Sequence, residues 1–145
     1  MQDYVKWQER FARIESLLED IGELSRQQRD FAEAALWEKE GMYPFQRWQK
    51  QRDRLVQQLG QRVIRPSDEA LLQGDKLQAA RREHERRCRE LIALIKANDA
   101  VTANCLKEGM DGLTARLAGI RRAQKARQAY CQTPAEGARF FDKKN

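Results

Sequence analysis

Long apolar runs are missing from this chain: nothing in its 145 residues approaches the ~18 consecutive apolar residues that a membrane-spanning helix needs. Period-two alternation is missing too, and β-branched residues are sparse, which argues against strands. The opening stretch MQDYVKWQERF is charged throughout and offers no signal-peptide core, so the cytosol is the expected compartment. Three cysteines, Cys88, Cys105 and Cys131, form neither an even set nor a CxxC pair; neither a disulfide framework nor a zinc site is expected. The single histidine, His84, has no second imidazole to complete a metal site and stands in no HExxH, and no glycine-rich phosphate loop occurs. No enzyme activity, metal or cofactor is expected.

What is present is helical patterning. Hydrophobic residues make up 41% and charged residues 34%, which suits a helical bundle with a modest core. A first helix is expected from about residue 3, with Asp3 as N-cap, to about residue 38. Its seam is Tyr4, Trp7, Phe11, Ile14, Leu18 and Ile21, then Leu24, Phe31 and Leu36, close to a 3.5-residue repeat. Gly41 and Pro44 stop it. A second helix of about residues 45–62 carries Phe45, Trp48, Leu55, Val56 and Leu59 and ends before Pro66. A third is expected over about residues 67–130, opened by Ser67 and early acidic residues. Its first seam is Leu77, His84, Cys88, Leu91, Ile95, Asn98, Thr102 and Cys105. The expectation is an all-α, elongated three-helix antiparallel bundle or coiled coil over residues 1–130 with a long C-terminal helix. A bend or local break is expected at Gly109–Gly112, and residues 131–145 (Pro134, Gly137, Phe140-Phe141) read as a non-helical tail, flexible or folded back.

Beyond Cys105 the apolar face shifts to Leu106, Met110, Leu113, Leu117 and Ile120, a 4-3-4-3 spacing on one side of a helix. At 1.5 Å per residue the third helix, about 95 Å long, outruns the first, about 54 Å long, by roughly 40 Å. A helix with an uncovered apolar face is unstable in water, so the stripe either pairs in a homodimer, folds back at the glycines, or holds a client. Charge is uneven as well: residues 1–40 carry −4 and the remainder +10. One basic cluster lies at Arg81, Arg82, Arg86, Arg87 and Arg89, interrupted by glutamates. A second, Arg121, Arg122, Lys125 and Arg127, forms a rim beside the stripe, suited to steering an acidic partner. Neither cluster has interleaved aromatics, so a nucleic-acid module is the less favoured reading.

The layout resembles the flagellar type III export chaperones of the FlgN/FliT type. The residues that carry it are WEKEGMYPFQRWQKQRDRLVQQL, starting at Trp37, and LIALIKANDAVTANCLKEGMDGLTARLAGIRRAQKARQAY, starting at Leu91. The Asn98/Asn104 spacing leans toward the FlgN type, while the tail around Phe140 departs from it. The resemblance implies a cytosolic chaperone that holds a helical segment of an axial flagellar subunit on Leu106, Met110, Leu113, Leu117 and Ile120. The client would be a hook–filament junction protein, or the filament cap protein if the chain is of the FliT type. The resemblance also implies docking of Tyr130 on the cytosolic part of the membrane export gate. A structural coiled-coil protein or secretion stalk is the rival.

Overall fold

The computed structural model describes the backbone of residues 2–69 and 71–144, and the side chains of 3–69 and 71–131. All of its regular structure is helical: α1 (Gln2–Glu33), α2 (Trp37–Glu40), α3 (Tyr43–Arg62), α4 (Pro66–Glu69) and α5 (Asp75–Lys144). The chain divides into two compact units, Met1–Cys105 and Leu106–Asn145, where a single bundle over 1–130 is expected from the sequence. Thr102 is the last buried position among the described residues.

In the first unit the antiparallel reading holds. Arg10, early in α1, reaches the carbonyls of Arg62 and Val63 at the end of α3, while Arg52 in α3 bonds Gln28. The first part of α5 runs parallel to α1, with His84 against Glu15, Arg87 against Glu19 and Asn98 against Ser25. Two apolar clusters form the core. Ile14, Leu18 and Ile21 meet Leu91 and Ile95, covered by Leu55, Leu59, Ile64 and Cys88. Trp7 and Phe11 meet Leu72 and Leu77, with Tyr4, Ile64 and Ala80 alongside. Farther along, Phe31 packs between Phe45 and Trp48, edge-on to the latter at 5.6 Å. The α5 seam named from the sequence is recovered in full, Cys88 and Cys105 being half-buried and the rest buried. Val56 is the exception in α3: it is exposed, and α3 contributes no fully buried side chain.

Helix ends differ from the sequence expectation for local reasons. α1 stops at Glu33, not near 38, because Ala35 adopts a left-handed backbone with φ 51°. The Leu36 N–H donates to Phe31 O and the Ala35 N–H to Ala32 O, the two bonds that close a helix around a left-handed residue. Glycine normally takes that position, so alanine gave no warning. A single turn, α2, follows and is closed by Gly41 at φ 70°, whose N–H donates to Trp37 O. The long helix begins at Asp75 and not at Ser67, since Gly74 at φ 98° separates it from the one-turn α4.

At the base of this turn Arg10 acts as a clasp. Besides the α3 carbonyls it bonds Asp68 at 3.2 Å and lies over the Trp7 ring, 4.9 Å from its centroid. Asp68 in turn accepts the Arg65 N–H at 3.0 Å. A cation at the C-terminus of α3 satisfies its last carbonyls and meets the negative end of the dipole. α5 is continuous through Gly109 and Gly112, since two glycines at roughly 1 kcal/mol each do not outweigh a long hydrogen-bond ladder. Its bounds reach Lys144, past the expected end near Tyr130; Pro134 and Gly137 make a helix there costlier without forbidding one. Phe140 and Phe141, the apolar pair of the expected tail, lie outside the residues whose side chains are described.

Candidate functional site

Within the first unit the polar side chains serve packing. Asn98 donates to Ser25 Oγ at 3.0 Å and accepts from Arg29 at 2.8 Å, and Ser25 passes its own proton to Gly22 O at 2.7 Å. One layer away Arg52 donates to Gln28 at 3.0 Å and to both oxygens of Asp99, while Gln28 donates to Gln49 at 3.0 Å. No buried side-chain nitrogen or oxygen among the described residues lacks a partner. Such a layer ties α1, α3 and α5 in one register, because any sliding would strand buried polar groups.

His84 is a packed seam residue. It stacks on Phe11 at 4.3 Å and its Nδ1 stands 3.2 Å from Glu15. Cys88 is adjacent, its thiol pushed up to about 11 by burial, with the nearby Glu15 and Glu85 carboxylates adding to the effect; it is an inert thiol at neutral pH. A groove of about 360 Å³ beside them is walled chiefly by Ile14, Ile64, Cys88 and Ile92. No group of three or more His, Cys, Asp and Glu side chains among the described residues could hold a metal ion.

In the second unit the structure places the sequence-named stripe on the surface. Met110 is 68% exposed, Leu117 and Ile120 54% each, and Leu113 43%; Leu106 is half-buried. Thr114 returns its hydroxyl to the Met110 carbonyl at 2.9 Å, so it adds no free polar group to this face. Tyr130 is 81% exposed. Four exposed apolar side chains thus share one side of this helix.

The two basic clusters differ in the structure as they do in sequence. In the first, Arg81 pairs with Glu69 and Glu85, Arg86 with Glu83 and Glu90, and Arg87 with Glu19. The hydrogen bond from Arg86 holds the Glu83 carboxyl below its usual range. In the second, Arg121, Arg122, Lys125 and Arg127 are all exposed and none makes an ion pair among the described residues. From Thr114 to Cys131 the sequence holds five Arg and Lys and no Asp or Glu. Arg116 belongs to this acid-free run as well, though it lies outside the rim named from the sequence.

No helix among the described residues is long and apolar enough to cross a membrane. The family model of the flagellar protein FliT matches residues 15–132, which takes in most of both units. No curated protein and no solved structure matches the chain. The match is to FliT, and the lean toward the FlgN type is not confirmed by it. The family is one of chaperones, not of enzymes. Matched over four-fifths of its length, the chain belongs to the FliT family of flagellar export chaperones.

Proposed function

We propose that this chaperone works in the cytosol, holding a helical segment of an axial flagellar subunit on Leu106, Met110, Leu113, Leu117 and Ile120 and delivering it to the membrane export gate. The observation that carries the reading is the exposure of that evenly spaced stripe. A client helix laid along it buries apolar area on both partners, at roughly 25 cal/mol per Å². Held this way, the client keeps its own apolar face from aggregating. The FliT match favours the filament cap protein as client over the hook–filament junction proteins.

Tyr130 is the proposed contact for the export gate. At about 100° per residue it stands about 120° around the helix from the stripe axis, so a seated client leaves it uncovered.

Co-purification of the chain with the cap subunit, and separately with a junction subunit, tests the assignment. Leu113→Asp with Leu117→Asp should abolish capture while circular dichroism stays helical. Capture that persists in this variant removes the stripe as the seat. Capture of a junction subunit but not the cap subunit replaces the proposed client. Tyr130→Ala should keep the client and lose binding to the cytosolic domain of the gate.

A further inference from the structure

We infer that the helix seated on the stripe is acidic, carrying Glu or Asp at the positions that flank its own apolar seam; this rests on the stripe being the client seat. The argument is one of register and of charge left unanswered. Taking about 100° per residue, the five stripe residues average to the direction of Leu106. Arg121 then lies about 60° to one side of that axis and Arg127 about 60° to the other, with Lys125 about 100° round. Arg122, grouped with them by sequence, falls near the back, about 160° away. Both sides of the axis are therefore cationic at the C-terminal end of the seat: Arg121 directly follows Ile120, and Arg127 lies about 10 Å past it.

Arg121, Lys125 and Arg127 make no ion pair among the described residues, whereas three of the five arginines of the other cluster, Arg81, Arg86 and Arg87, are each answered by a glutamate. The acids nearest the stripe, Glu108 and Asp111, fall about 160° and 140° from its axis, on the back of the helix. A second copy of this chain is a poor occupant in parallel register for the same reason. It would bring arginines to the flanks of arginines while its own acids faced away, a like-charge arrangement that disfavours pairing. A nucleic-acid backbone would meet the charge but leave the apolar centre of the seat uncovered, and no aromatic side chain is placed there to stack a base. An amphipathic helix with acidic edges answers both features.

The test uses three fluorescein-labelled synthetic helices with one common leucine and alanine seam and Glu, Gln or Lys at the flanking positions. Each is titrated with the full chain at low salt and at 1 M NaCl. The Glu peptide should bind about five- to tenfold tighter than the Gln peptide at low salt, as expected for three partly exposed pairs. The Lys peptide should bind weakest. At 1 M salt, where screening acts within about 3 Å, the three should converge. Arg121→Glu with Arg127→Glu should invert the order while circular dichroism is unchanged. Equal affinities for the three peptides overturn the acidic partner and leave the apolar seat standing. Failure of all three to bind, or binding that survives Leu113→Asp with Leu117→Asp, overturns the seat as well. A DNA duplex that displaces the Glu peptide at equal concentration, or a dimer in sedimentation that those aspartates dissolve, overturns the inference in favour of that occupant.

Discussion

Gly22 sits mid-way along α1, buried, facing α5. A Cβ added there would lie 3.8 Å from Ile95 Cγ1 and within 4 Å of no other atom outside its own turn of helix. That is an ordinary van der Waals separation, so alanine fits without moving either helix. Gly→Ala in a helix interior is worth about 0.8–1.0 kcal/mol in propensity, since glycine loses more backbone freedom on folding. A methyl sheltered against Ile95 adds a few tenths more. The Gly22 carbonyl keeps its bond from Ser25, because only the side chain changes. Gly22→Ala should therefore stabilise the first unit by about 1–1.5 kcal/mol, raising its Tm by roughly 4–6 °C. Urea unfolding followed by far-UV circular dichroism measures this, with an unchanged m-value. A lower midpoint would refute the reasoning and mean that α1 and α5 approach more closely than the 3.8 Å gap implies. Gly41→Ala is the contrast: at φ 70° a side chain is strained, and a loss of about 1–2 kcal/mol is expected.

The remaining predictions concern the polar and titratable groups. Asn98→Ala, which strips Ser25 and Arg29 of a shared partner, should cost about 1–3 kcal/mol, whereas Asn98→Leu, which refills the seam, should cost less; urea midpoints of the two variants decide. Cys131, exposed, should react with iodoacetamide at pH 8 well before Cys88, whose thiol is pushed up to about 11; mass spectrometry of timed quenches gives the order. The Asp68 carboxyl is held below its usual range, first by the Arg65 N–H and then by Arg10. A depressed carboxylate stabilises the fold above its unfolded pKa, near 4, and that contribution fades as pH falls through the folded value. Unfolding midpoints between pH 7 and pH 2 should thus fall less steeply in Asp68→Asn than in the parent chain.

Much of the fold was legible because one physical rule, burial at helical spacing, governs most of it. In α5, Leu77, His84, Leu91, Ile95, Asn98 and Thr102 follow that spacing and are buried. In α1 the same rule reached Ile21 and Phe31 but passed over the polar and small positions that complete the seam. The true continuation is Ser25, Gln28 and Ala32, whose 4-3-4 steps keep the repeat but whose side chains are polar or small. Leu24, the apolar residue at the neighbouring position, is only half-buried. Spacing alone could have found them; hydropathy could not. Leu17 and Leu72 escaped differently, the first by widening the seam beside Leu18 and the second by being buried from a non-helical stretch. The left-handed Ala35 carried no compositional signal. For the candidate site, the stripe and its cations were readable as a pattern. The interrupting glutamates foretold the local pairs of the first cluster, whereas Arg81–Glu69 and Arg87–Glu19 join separate helices and were not readable.

α3 has a consequence of its own. It seals the pair made by α1 and α5 without sending one fully buried side chain inward; its hold consists of half-sheltered Phe45, Trp48, Leu55 and Leu59, the Arg52 bonds and the Arg10 clasp. Peeling it away strands no fully buried side chain of its own, though it bares Phe31 and the flank of the Ile14, Leu18 and Ile21 cluster. Its backbone amides should trade their hydrogens for deuterium through a low-energy local opening, long before the other two helices give up theirs. In the first unit α3 is thus a cover held by half-sheltered side chains and polar clasps, and the least costly excursion is expected to begin at that cover.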